Sequence, residues 1–150
     1  MNPVDLIVGF LKGELRRITY PTIKLGEVAT VDQIVEKLAP YHTGARLDSQ
    51  DSNYQLAEFI ERKYYLKWLH NLDVGEYSAQ FDCDDFALQY WLWCRLIYSR
   101  HDRRASAPAI GYCKYPGHAI NFAITLSGVK FFDPQHGEVA APSSIYWLQF

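Results

Sequence analysis

Residues 82–98, Asp-Cys-Asp-Asp-Phe-Ala-Leu-Gln-Tyr-Trp-Leu-Trp-Cys-Arg-Leu-Ile-Tyr, are the stretch from which the fold is read. Phe86, Ala87, Tyr90, Trp91, Trp93, Cys94 and Ile97 leave little polar circumference, so the spacing predicts a helix from Asp82 to about Tyr98, buried on several sides. Asp82 is placed to cap it. A polar turn, Ser99–Ser106, follows with Arg100, Arg103 and Arg104, read as a solvated cluster. Beyond Pro108 the pattern changes. Ala109–Cys113 and His118–Leu126 are β-rich runs, Ser127-Gly128 is a two-residue turn, Val129–Phe132 returns, and Ile145–Phe150 adds a last strand.

Upstream the periodicity is helical. Leu6, Phe10, Leu15 and Ile18 predict a first helix ending near Pro21. Thr30 and Gln33 form a capping-box pattern for a second, which ends before Pro40 and buries Ile34, Val35 and Leu38. Tyr41–Asn53 is polar and reads as a loop. Tyr54 to about His70 reads as a long helix, which the stretch Asn71–Ser78 with Gly75 breaks. The expected class is α+β: N-terminal helices packed on a small antiparallel sheet, in a single domain over residues 1–150.

Composition narrows the function. The chain has 150 residues, 49% hydrophobic and 21% charged, with 15 Lys+Arg against 17 Asp+Glu. That length suits one core. A formal charge of −2 supplies no field for nucleic acid or an anionic membrane. The apolar run Leu6–Leu11 lacks a basic flank and a cleavage site, and nothing approaches the roughly 20 apolar residues of a membrane span. Three cysteines without a C-x-x-C pair make neither a disulfide framework nor a zinc ribbon, which fits a reducing, cytoplasmic setting.

Cys83 stands apart from the other two. It opens the buried helix, where unpaired N–H groups and the helix dipole favour an anion and so a thiolate. Cys94 and Cys113 lie inside apolar runs and belong to the core. A nucleophilic cysteine needs an imidazole to take its proton and a third group to orient that imidazole. His118 opens one strand and Asp133 closes the next. Pairing about Ser127-Gly128 sets His118 opposite residue 137 and Asp133 opposite residue 122, an offset of a few residues that a bulge or a long reach must absorb.

The run Cys83-Asp84-Asp85-Phe86-Ala87 resembles the Cys-x-Asp-Phe-Ala segment of bacterial transglutaminase-like proteins. His118-Ala119-Ile120-Asn121 and Asp133-Pro134-Gln135 resemble that superfamily's His-Ala-x-Asn and Asp-Pro segments, in the same order. The resemblance covers about residues 77–137. It implies a transglutaminase-like (papain-like) fold with Cys83 as nucleophile, His118 as general base and acid, and Asp133 as orienting carboxylate. The oxyanion would be held by the Cys83 N–H and one further donor, for which Gln80 is a candidate; Gln135 could instead hydrogen-bond near His118.

One departure from the pattern is Asp84, in a position often arginine or aromatic. Three carboxylates at Asp82, Asp84 and Asp85 raise the pKa of a neighbouring thiol and disfavour its thiolate. The same segment also resembles a calcium-dependent, fungal lectin-associated papain-like protease. Calcium on Asp84 and Asp85, with Asp48 or Asp51, is therefore a candidate, although no cofactor is required. The expected function is a cysteine-dependent hydrolase or acyltransferase acting on peptide, isopeptide or glutamine amide bonds of a protein or peptide substrate. The alternative is a catalytically inactive structural or interaction module, such as a virion component, that keeps the fold.

Overall fold

The computed structural model describes residues 25–49, 51–71, 81–101 and 106–150. Its elements run β1 (Leu25–Thr30), α1 (Val31–Leu38), a 3-10 turn (Ala39–Tyr41), β2 (His42–Asp48), β3 (Asn53–Ala57), α2 (Arg62–Asn71), α3 (Cys83–His101), β4 (Ala107–Pro108), β5 (Ile110–Tyr115), β6 (His118–Thr125), β7 (Gly128–Asp133), β8 (Gly137–Val139) and β9 (Ile145–Gln149). The helix expected before Pro21 lies outside the described residues.

These strands form two sheets, β1-β3-β4 and β2-β9-β5-β6-β7-β8. The expected class, N-terminal helices on a small antiparallel sheet, is corrected accordingly. Three strands precede α2, the larger sheet has six strands, and β2 pairs with β9 in parallel. Two predicted elements change type. The loop Tyr41–Asn53 holds β2, and the first part of the helix predicted from Tyr54 is β3, where the buried Tyr54 and Leu56 flank the half-buried Gln55. That alternation of period two suits a strand, and helical spacing resumes only at α2.

Other expectations hold. Thr30 caps α1, its side chain accepting the Gln33 N–H while Gln33 reaches back to the Thr30 N–H at 2.9 Å. Helix α3 forms as predicted and runs a turn further. Leu88, Leu92 and Leu96 nonetheless remain exposed on it, so one face is open to solvent.

The larger sheet is covered on both sides. Ala119 and Ala123 of β6 face an aromatic cluster with Tyr65, Trp68, Tyr90 and Trp93 from α2 and α3, while Ile120, Phe122 and Ile124 face Ile34, Leu38 and Phe150. Within the aromatic cluster, tyrosine hydroxyls donate to backbone carbonyls: Tyr90 to Ile60 (2.6 Å), Tyr98 to Glu58 (2.7 Å) and Tyr65 to Phe86 (3.2 Å). Each ring is thus buried with its polar end satisfied. Gly111 lets β9 close on β5, because a Cβ there would stand 2.1 Å from the Gln149 carbonyl oxygen.

Candidate functional site

The site forms where the head of α3 meets the ends of β5, β6 and β7. The helix start is set by carboxylates: Asp82 accepts the Asp84 N–H at 3.0 Å, and Asp85 accepts the Asp82 N–H at 3.1 Å. This reciprocal pair satisfies two of the unpaired donors of the first turn. It places half-buried Cys83 as the first helical residue. Deeper in, the buried Asn121 fixes α3 to the sheet, its Nδ2 donating to the carbonyls of Ala87 (2.8 Å) and Gly111 (3.1 Å). The sequence pattern alone gives Asn121 no such role.

The hairpin register resolves the offset between His118 and Asp133. Thr125 pairs with Gly128, so the turn residues are Leu126 and Ser127, and Asn121 pairs with Phe132. Continued outward, that register sets His118 across from Gln135 and makes Asp133 its diagonal neighbour on the same face. His118 Nε2 lies 3.0 Å from Asp133 Oδ2. At the other end of β6, Pro116-Gly117 is the turn from β5, with Gly117 at φ +79°, the geometry in which proline followed by glycine is favoured. It brings the Tyr115 ring edge-on to the imidazole, centroids 5.6 Å apart.

Asp133 is buried and accepts three hydrogen bonds: from His118 and from His136 Nδ1 (2.8 Å) on Oδ2, and from the Gln135 N–H (2.8 Å) on Oδ1. Burial works against its charge, but the bonds from His136, His118 and Gln135 prevail and hold the carboxyl below its usual range. Arg62, in the first turn of α2, donates to the carbonyls of Pro134 (3.0 Å) and Gln135, fixing the turn that carries Asp133. With Asp133 as acceptor, His118 carries its proton on Nε2, which leaves Nδ1 of the neutral ring as an acceptor.

The Cys83 sulfur takes a hydrogen bond from the backbone N–H of Ala119, the residue after His118, and lies 3.9 Å from Asp84 Oδ1. Desolvation raises the thiol's pKa, the Ala119 N–H opposes this, and the Asp84 and Asp82 charges raise it further. The acidic residues beside the thiol therefore act as their charge predicts. No Cys83–His118 hydrogen bond forms among the described residues. The structure pairs His118 with Asp133 and sets Cys83 against the neighbouring backbone. Cys94 and Cys113 are fully buried, and desolvation pushes the Cys113 thiol up to about 12.

Gln80 lies outside the described residues. Gln135 enters through its backbone N–H on Asp133 rather than through its side chain. Asp82, Cys83 and Asp84 could each offer a metal one ligand atom within 4.8 Å of the others. The carboxylates expected to hold calcium each have protein partners. Asp84 is paired with the Lys114 ammonium, and Asp85 with the Asp82 N–H. Asp51 is held by Arg95 at 2.6 Å, and Asp48 by Arg46 and the Trp147 indole.

No protein-family model and no curated protein matches this chain. Among solved structures, a complex described as PSL1a with E64 shares the fold at TM-score 0.61 and 20% identity, over 82% of this chain and 51% of that one. The Polyporus squamosus lectin bound to the human-type influenza-binding epitope Neu5Aca2-6Galb1-4GlcNAc matches at TM-score 0.59 and 21% identity, over 82% of this chain and 49% of that one. The chain thus spans about half the length of each.

These matches overturn the family read from the motifs. The fold is shared with a lectin structure. The expected cysteine peptidase or amidase, and with it the protein or peptide substrate, is corrected on the same finding. The expected absence of a membrane span concerned the sequence; among the described residues no helix is long and apolar enough to cross a membrane.

Proposed function

We propose that the head of α3 is a ligand-capture site whose reactive atom is the Cys83 sulfur, with His118 as proton acceptor and Asp133 holding the imidazole. The observation that carries this is the 3.0 Å His118–Asp133 bond, which leaves Nδ1 free to accept a proton one residue from the N–H that holds the sulfur. The site takes an electrophile and holds it by a sulfur–carbon bond. The thiol proton passes to His118 Nδ1 as the sulfur displaces the leaving group, which departs with its bonding pair. A thiol raised by burial is mostly protonated at neutral pH, so a base is what makes it react there.

Iodoacetamide labelling of the folded chain, mapped by mass spectrometry, tests the reading. Cys83 is expected to label at least tenfold faster than buried Cys94 and Cys113, and His118→Ala to slow it, a positioned base typically contributing about 100-fold or more. Equal slow labelling of all three, or indifference to His118→Ala, would refute it.

Glycan binding is a second reading, favoured by the fold shared with the Polyporus squamosus lectin, whose structure is described with a sialylated trisaccharide bound. Titration calorimetry with that trisaccharide checks it. Saturable heat is expected, and no heat up to about 1 mM ligand would remove it.

A further inference from the structure

Beside the thiol, a carboxylate meets a cation that reaches it from a different element. Lys114 lies on β5, where it pairs with Ala119 of β6 on one side and Trp147 of β9 on the other. Its ammonium makes an ion pair with Asp84 and sits 5.3 Å from the centre of the Trp147 ring. Trp147 in turn donates its indole N–H to Asp48 at 3.0 Å. The lysine stem is therefore held between neighbours and its charge directed at the α3 head.

Asp84 is also the residue whose Oδ1 faces the Cys83 sulfur at 3.9 Å. The same carboxylate thus stands between a thiol, whose ionisation it opposes, and an ammonium, which offsets its charge. The charged and titratable groups at this end of the molecule, besides Cys83, are Asp82 just before α3, Asp84 and Asp85 on it, Lys114 and Tyr115 on β5, His118 on β6 and Asp133 on β7. Lys114 is the lysine of that set, and its ammonium is paired with Asp84. We propose that Lys114 is a positioning residue for the Cys83 thiol: by pairing with Asp84 it draws that carboxylate's charge away from the sulfur and sets the pH at which the thiol reacts. The inference rests on Cys83 being the reactive thiol.

The test is the pH dependence of iodoacetamide alkylation of Cys83 in the wild type, Lys114→Met, Lys114→Arg, Asp84→Asn and the Lys114→Met/Asp84→Asn double variant. Lys114→Met is expected to slow labelling at neutral pH by roughly threefold and to move the midpoint to higher pH, the scale of a partly exposed pair. Lys114→Arg should keep the wild-type rate, and the double variant should return to within about twofold of it, because removing the carboxylate removes what the lysine offsets. An unchanged midpoint in Lys114→Met would overturn the proposal. So would a double variant, or Lys114→Arg, as slow as Lys114→Met, since loss of packing alone would then explain the effect. Failure of the imidazole reading shows elsewhere, in His118→Ala labelling at the wild-type rate while the Lys114 dependence persists.

Discussion

Cys83 and Cys94 lie on one helix and meet opposite surroundings. At the head of α3, Cys83 is half-buried among N–H groups, carboxylates and an ammonium. In the middle, Cys94 is fully buried beside Tyr90 and Trp93, and desolvation drives its thiol far above the ordinary range. The residue type is the same, so the difference comes from position. A helix end leaves backbone donors unpaired and solvent near, whereas the middle of a buried helix offers neither. The head supplies chemistry and the middle supplies stability.

Substitutions should separate those roles. Trp93→Ala removes a side chain that is 1% exposed and should cost about 3–5 kcal/mol in denaturant unfolding. Cys83→Ala should cost less than about 1 kcal/mol and abolish labelling at the site; a larger loss would make the head part of the core. Asn121→Leu comes next. It leaves the buried carbonyls of Ala87 and Gly111 without their donor and should cost about 2 kcal/mol, measured the same way.

A smaller effect concerns Asp133, whose carboxyl is held below its usual range. A depressed folded-state pKa gives stability that is present above the unfolded value, near 3.9, and is lost as pH falls through the folded one. Wild type should therefore exceed Asp133→Asn in melting temperature at neutral pH, with the gap closing in acid below about pH 4. A gap that did not vary with pH would show that the hydrogen bonds do not depend on the charge. The smallest effect is expected for His136→Ala, since that ring is largely exposed. It should move the acid limb of the wild-type curve to slightly higher pH and cost under about 1 kcal/mol.

How much of this was legible depended on whether the partners were close in sequence. The Thr30–Gln33 box, the α3 helix and the β5–β6–β7 strands are written locally, in caps, turns and short-range periodicity. Strand β2 was missed because its partner is β9, about 100 residues away, and its own residues are mostly polar. The hairpin register was misread by two residues. Leu126 looks like a strand residue but is 71% exposed at the turn, while Gly128, with φ +128°, belongs to the strand. The types of the His118 and Asp133 side chains were legible, and their diagonal contact required the true turn. The Lys114–Asp84 pair had no sequence signal, because it joins a strand to a helix head 30 residues away.

The most direct measurement of the central claim is the pH–rate profile of Cys83 alkylation in wild type, His118→Ala and Asp133→Asn, taken from pH 5 to 10. Imidazole assistance predicts a wild-type rate that exceeds the His118→Ala rate at neutral pH, and a His118→Ala rate that rises only where the thiol itself ionises. Asp133→Asn should fall between them. Three superimposable profiles, each rising only above pH 9, would contradict the account.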